Sequence, residues 1–541
     1  MRGMVRNLWV TASVGAAAGV GVAQGPVAPS VLPDWAPAMS VPSVSAPPAP
    51  AVTTPPAPSG GEWVGSGVLP APVPPSPVRV VEPPAVLPER VAAPKLPVLP
   101  TPGVTYPIGP AVPAAPAPAE PTALKPIWKN QLFFESEDKS FSLFVGGRAH
   151  LDAAGYIAPR ALRSAAGGVE PLDDGVAWRR TRFQVGGTIY KNYAFLVEID
   201  FTNAFVTQAG TNRADNTVVP TDVWFTFKDL PYAGNVRVGN QKSPISFEHL
   251  TSSRFLTFME RSLGFDAFVE NGNNGFSPGI LVFDSYADKH GTWAVGVFKN
   301  TREPFGWDVG RNNAEVVGRV TYLPVYEDGG RRLVHVGLGA IHRDADDDGV
   351  RARARYSARN APGAVAPLLA DTGVIDARQQ QVVVPEFAVV MGSFSLQSEY
   401  YASWVQAALP PAGSGFGRGT GFFQSAYAEA AYFLTGEHRE YVREDRAAFG
   451  RVTPLRPFAW TRECGATGPG AWQVAARYSY LDLDSRGIEG GRVHDFTLGL
   501  NWFLNPNAKV QWNYFLAHRD VAGFAGDGYI HGFGTRLAYD F

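Results

Sequence analysis

From Phe141 to the end of the chain, apolar and polar residues alternate with a period of two, broken by joins rich in Gly, Asn and Asp. In the first such segment Phe141, Leu143, Val145, Ala149 and Leu151 share one face, and Ser142, Arg148, His150 and Asp152 share the other. The next segments repeat the alternation. Phe183, Val185 and Ile189 oppose Arg180, Arg182 and Gln184; Tyr193, Phe195, Val197, Ile199 and Phe201 oppose Glu198 and Asp200; Val223, Phe225 and Phe227 oppose Asp222, Thr226 and Lys228. This is the pattern of half-buried antiparallel strands. Continued to Phe541 it predicts about sixteen strands, the later ones near 235–242, 276–284, 291–299, 314–324, 332–342, 382–392, 394–405, 423–434, 471–482, 493–503, 508–518 and 529–541.

The joins alternate in length. Lys191-Asn192, residues 229–234 and Gly392-Ser393 are short, whereas 153–177, 203–220, 243–275 and 343–381 are long. Strands of about ten residues, short turns at one end, long loops at the other and aromatics near strand ends (Trp178, Tyr190, Trp472, Tyr480, Trp502, Trp512) predict a transmembrane antiparallel β-barrel rather than a soluble sandwich or solenoid. The closing strand, Arg536 to Phe541, alternates and ends on an aromatic, as strands read by barrel-assembly machinery do.

One long join differs from the others. Residues 239–268 carry Phe247, Leu250, Phe255, Leu256, Phe258, Met259 and Leu263 beside Lys242, Arg254 and Arg261. Thr251 or Ser252 is expected to cap a short helix with Phe255, Met259 and Leu263 on one face, and Thr257 with Glu260 has capping-box spacing. Inside a barrel this loop is expected to pack against the inner wall, its three basic residues beside the passage.

Composition divides the chain of 541 residues in two. Arg2 and Arg6, the apolar stretch from Leu8 and the small-residue exit at Ala23 read as a secretory leader over residues 1–23; an inner-membrane anchor is the alternative. Residues 24–127 hold most of the 47 prolines together with Ala and Val, a composition that favours extended polyproline II and a disordered spacer, expected in the periplasm as a tether and open to cell-wall contact. The barrel is expected over 128–541. The formal net charge of −2 points to no nucleic-acid partner, and the single cysteine, Cys464, excludes an intramolecular disulfide and a multi-cysteine zinc cluster.

The charges then have only one place to go. A strand-borne Lys or Arg facing lipid at the midplane costs about 2–4 kcal/mol, so parity assigns Arg148, Arg180, Arg182, Arg237, Arg319, Arg477, Lys509 and Arg536 to a water-filled lumen, with Glu198, Asp200, Asp222 and Asp495. Parity places Arg179 outward. In the loop after the ninth strand, Arg351, Arg353 and Arg355 fall on one edge of an extended segment, either a relay for an oxyanion or a solvated loop tip. The join 434–469 lies on the short-turn side yet is long and rich in arginine, and is expected to enter the lumen from the periplasmic end. Asp344 to Gly349 imitates the start of an EF-hand loop, but Arg355 stands at the twelfth position. No catalytic spacing occurs, no cofactor is implied, and His335 and His342 read as lumen or rim residues.

These segments resemble the phosphate-selective porins O and P over nearly all of 141–541. The resemblance rests on residues 178–201, on 221–262, on 431–441, on 470–484 and on 496–514, in that order. It implies a sixteen-stranded barrel, a homotrimer, and a third extracellular loop folded inward as a constriction that anions, phosphate above all, cross along arginines. By motif the pore-lining residues would be Arg148, Arg179 and Arg180, with Asp222 as an acidic partner and Lys242, Arg254 and Arg261 on the third loop. Arg351, Arg353 and Arg355 resemble an inward-folded fifth loop, although Tyr356-Ser357 stands where the family tends to have Pro-Glu. A general diffusion pore without phosphate selectivity, and an envelope-tethering barrel, stay open as alternatives.

Overall fold

The computed structural model describes residues 123–541 apart from 161, 163–171, 173, 203–217, 271–274, 300–313, 346–348, 360–367, 464 and 522–526. The expected leader, residues 24–122 of the expected spacer, the middle of the EF-hand-like run and Cys464 lie outside the described residues. The strands are β1 (Lys125–Trp128), β2 (Leu132–Glu135), β3 (Ser142–Ile157), β4 (Gly175–Ile189), β5 (Tyr193–Asp200), β6 (Val219–Leu230), β7 (Gly234–Lys242), β8 (Phe276–Tyr286), β9 (Gly291–Lys299), β10 (Ala314–Glu327), β11 (Arg332–Asp344), β12 (Arg353–Arg355), β13 (Leu368–Asp371), β14 (Gln379–Met391), β15 (Phe394–Ala408) and β16 (Gly419–Phe433). After four two-residue strands, β17 (Tyr441–Val442), β18 (Ala448–Phe449), β19 (Trp460–Thr461) and β20 (Gly465–Ala466), come β21 (Ala471–Ser485), β22 (Ile488–Asn505), β23 (Ala508–Asp520) and β24 (Gly528–Asp540).

Strands β3–β11, β14–β16 and β21–β24 pair antiparallel in chain order, and β24 returns to β3 from His531↔Ile157 to Asp540↔Arg148, closing a sixteen-stranded barrel. The β1–β2 hairpin continues that seam: β2 pairs with the first residues of β3, Leu132↔Val145 to Glu135↔Ser142, where β24 has ended. No helix among the described residues is long and apolar enough to cross a membrane.

Burial is inverted relative to a water-soluble protein. Val223, Phe225, Phe227, Val295, Val297, Leu338, Phe387, Leu498 and Phe533 are exposed on the outer wall, while Arg148, Arg182, Glu198, Asp495, Gln511 and Arg536 are buried inside. Period two therefore reports lipid on one face and lumen on the other, and every strand charge assigned inward is inward. Arg179 is the exception to parity. On β4, His150 faces Arg180 and Leu151 faces Trp178, so Arg179 is the extra residue of a bulge, which turns its side chain into the barrel, where it is 4% exposed.

Loop 3, described over residues 243–270, crosses the lumen, but its first helical turn is not where the spacing of four places it. A single turn, α1 (Phe247–Leu250), is capped by Ser246, whose Oγ accepts from His249 N at 3.1 Å, while Phe247 N and Glu248 N donate to Glu399 at 2.7 and 3.2 Å. Residues 252–262 stay non-helical because the wall and the 434–470 join take their carbonyls, and a π-helical turn follows at Phe265–Val269. Arg439 donates to Phe255 O at 3.0 Å, Lys509 to Leu256 O at 3.0 Å, Asn501 and Gln511 to Thr257 O at 2.9 and 3.1 Å, and Arg477 to Glu260 O at 2.9 Å. Carbonyls bonded to side chains are not free to close helical turns.

Apolar knobs fix this path. Phe258 packs with Ala431 and Ala475, and Cβ atoms built on Gly499 and Gly534 would lie 3.0 Å from Phe258 Cε1 and 2.8 Å from Met259 Sδ. We expect Gly534→Val to force Met259 from its seat and to destabilise the barrel by about 1–3 kcal/mol, read as a lowered urea midpoint; an unchanged midpoint would show that loop 3 does not depend on this pit.

Candidate functional site

Between loop 3 and the wall formed by β3–β10 lies a cavity of about 220 Å³. Seven of the residues singled out from the sequence line it together: Arg148, Arg180, Arg182, Asp222, Lys242, Arg254 and Arg261. Arg237, Arg319 and Arg446 join them, as do the carboxylates of Glu198, Asp284, Glu444 and Asp445. Strand alternation delivers the wall residues, and the inward fold of loop 3 delivers Arg254 and Arg261 from the opposite side.

The cations around the cavity fall into two groups. Arg148 and Arg182 grip Glu198, Arg182 at 3.0 Å, and Arg182 also holds Asp200 at 2.7 Å. Arg319 forks onto Glu386 at 2.7–3.2 Å. Those charges are spent. Lys242 and Arg261, in contrast, have no carboxylate within ion-pair distance among the described residues. Lys242 donates to the carbonyl of His249, and Arg261 to those of Glu248 and Thr251 at 2.9 and 2.8 Å. Arg254 donates to the neutral Gln184 at 2.8 Å, and its nearest carboxylates, Asp540 and Glu198, stand 3.8 and 3.9 Å away. Burial, and then the neighbouring Arg148, push the Arg254 guanidinium down to about 9, so it is charged at neutral pH with too little counter-charge. Asp222 accepts from Trp224 Nε1 at 3.1 Å and likewise holds no cation within ion-pair distance among the described residues.

Four of the expected residues are elsewhere. Arg179 forks onto Glu260 of loop 3 at 2.9 and 3.1 Å, and Arg536, Arg180 and Arg359 approach the same carboxylate at 3.0, 3.6 and 3.8 Å. Burial by itself would raise the Glu260 carboxyl; Arg179, Arg180, Arg359 and Arg536 overturn that and hold it well below the usual carboxylate range. The three arginines of the fifth loop do not act as one edge. Arg355 is buried against Asp266, to which its backbone N also donates at 2.6 Å; Arg353 is half-buried; Arg351 is exposed and forks onto Asp371. The fifth loop does fold inward. Ser357, in the dipeptide that departs from the family pattern, links Asp495 at 2.9 Å and Arg477 at 3.1 Å, and Tyr356 packs 5.7 Å from Phe515.

Part of the 434–470 join, residues 439–449, enters the lumen from the short-turn end, as the length of the join suggested. Tyr441, Ala447, Ala448 and Phe449 form one apolar cluster with Phe247 of loop 3 and with Leu323, Leu333, Ala388 and Val390 of the wall. His335 is fully buried there, its Nδ1 2.8 Å from Tyr441 Oη, whereas His342 is exposed near the outer rim. Reasoning from the residues alone missed Glu260 and Asp266 as counter-ions. Only the three-residue separation of Thr257 and Glu260 was visible, and it pointed to a cap.

The match to known proteins agrees with this geometry. The family model for phosphate-selective porin O and P covers residues 148–541. Porin O of Pseudomonas aeruginosa is 27% identical over 444 residues, which span 76% of this chain and 91% of the relative. An uncharacterized protein of Caulobacter vibrioides is 29% identical over 415 residues, 74% of each chain. Among solved structures, the outer membrane channel DcaP of Acinetobacter baumannii overlaps with a TM-score of 0.43 at 12% identity, over 75% of this chain and 99% of that one. One family model matches this closed barrel from Arg148 to Phe541, so the chain is an outer-membrane channel and belongs to the phosphate-selective porin O and P family.

Proposed function

We propose that the barrel conducts small anions passively, phosphate or a related oxyanion foremost, and catalyses no reaction. The observation that carries this reading is the pair Lys242 and Arg261, two cations beside one cavity whose hydrogen bonds, among the described residues, go to backbone carbonyls. A desolvated cation without a counter-ion is costly, and an oxyanion that enters replaces lost hydration with charge-assisted hydrogen bonds. Several such groups in weak succession let the ion leave again. The name of the relative Porin O supports a pore, and the family description supports phosphate. The assembly we propose is a homotrimer in outer-membrane lipid, with the leader at 1–23 removed and the expected spacer as a periplasmic tether, shortened to 24–124 because Lys125–Ile127 pair with β2 on the barrel seam.

The test is reversal potential in planar bilayers under a KCl gradient. An anion sign with phosphate reducing the chloride current is expected, and a cation sign would overturn the reading. A second reading, a general diffusion pore, is favoured by the spent arginines: Glu198, Glu260 and Asp266 neutralise much of the lumen's positive charge. It predicts weak selectivity and no phosphate block. Deletion of 24–124 is expected to leave conductance unchanged; loss of cell-wall attachment in that variant would favour a tethering role.

A further inference from the structure

The hairpin of β17 and β18 carries a four-residue tip, 443–446, whose Glu444, Asp445 and Arg446 border the cationic cavity. Its base is seated firmly. Besides the apolar cluster around Tyr441 and Phe449, Arg319 donates to the carbonyls of Arg446 and Ala447 at 2.7 and 3.0 Å, and the Arg443 guanidinium lies 4.4 Å from the centre of the Tyr326 ring. The tip itself is solvated: the side chains of Glu444 and Asp445 are 68% and 40% exposed. From that position Glu444 pairs with Lys289 in the turn between β8 and β9, and Asp445 Oδ2 stands 4.0 Å from Arg237. Arg237 is in turn stacked 4.0 Å from the Trp224 ring and bonded to Thr226 Oγ1 at 2.9 Å, so its position does not depend on the tip.

A rigid cation faces a carboxylate on a solvated tip, at the periplasmic border of a cavity that is short of negative charge. We propose that Glu444 and Asp445 are specificity-determining residues at the periplasmic exit: Asp445 is a built-in competitor that occupies Arg237, Glu444 is a second negative charge beside it, and together they weaken the hold of the cavity on a departing oxyanion. The inference rests on the anion reading above. An ion arriving from loop 3 meets Lys242 and Arg261 first, and Asp445 then competes with it for Arg237 and repels it outward. Exposed ion pairs are worth little, so the competitor yields when an anion is present and returns when it has gone.

The experiment compares wild type with the double variant E444Q/D445N, which keeps the size and hydrogen-bonding shape of both side chains. In oriented bilayers the phosphate concentration that halves the chloride current is measured from each side, together with current rectification in KCl alone. Removal of two charges at this range, screened by solvent, is expected to lower the half-blocking concentration by about three- to tenfold, more from the periplasmic side, and to change the rectification. An unchanged half-blocking concentration and unchanged rectification in an anion-selective wild type would overturn this inference and leave the anion reading standing. A cation-selective wild type would overturn the anion reading first. The single variant Arg237→Gln checks the partner: it should shrink the effect of D445N at least threefold, and a full D445N effect without Arg237 would overturn the assigned competition.

Discussion

Replacing Glu260 by Gln will release loop 3 from the barrel wall. Arg179, Arg536, Arg180 and Arg359 converge on this one carboxylate at 2.9–3.8 Å, and all four are nearly fully buried. Gln keeps the shape and removes the charge, leaving buried guanidinium groups without their counter-ion. Breaking a buried pair in this way costs roughly 3–5 kcal/mol, more than any single surface ion pair supplies. The expected result is rapid proteolysis within 243–275 of otherwise folded barrels and a lower unfolding temperature, with Glu260→Asp recovering part of both. The sign with pH follows from the depressed carboxyl. Its contribution is complete above the ordinary glutamate value and is lost as the pH falls below that value toward the folded-state one, so acid should loosen wild-type loop 3 and leave the Gln variant little changed. Protease resistance of the Gln variant equal to wild type would show that the apolar seats of Phe258 and Met259 hold the loop by themselves.

The second large effect is on selectivity. K242Q/R261Q removes the two cavity cations that no carboxylate pairs with among the described residues, and each loses about 1 kcal/mol or more of attraction for an anion after screening. The double variant should therefore raise the half-blocking phosphate concentration at least about tenfold and move the reversal potential toward zero. Arg351→Gln and Arg355→Gln should change neither by more than about twofold, because Arg351 is held by Asp371 at the surface and Arg355 by Asp266 inside. If instead the fifth-loop variants carry the larger loss, the anion path runs through that loop and the cavity assignment fails. The contrast separates the two groups of arginines by function, which their residue type cannot do.

Much of this architecture was legible before any coordinates. Alternation at 141–152 or 221–228 needs only a chain that is greasy on one side and charged on the other, and the cost of an arginine in lipid orients it. The inward fate of Arg148, Arg180 and Arg182 followed directly. Arg179 did not, because a one-residue bulge opposite His150 and Leu151 resets parity and leaves no mark in the alternation. The helix expected over 252–263 failed for a related reason. Its residues suit a helix, but Asn501, Gln511, Arg439 and Arg477 come from strands and an insert far away in sequence and take its carbonyls. Local propensity lost to long-range hydrogen bonds.

The sequence by itself determined the barrel, its closure at the last strand, the sidedness of its charges and the loop that fills it, since each of these depends on the order of apolar and polar residues and on the price of exposing charge to lipid. Only the tertiary structure decided which cations remain available. Arg355 and Asp266 are 89 positions apart, and Arg179 and Glu260 are 81 apart. Whether a guanidinium attracts a passing anion depends on a counter-ion within about 4 Å, a distance set by how loops 3 and 5 fold against the wall. Spacing along the chain carries no record of it.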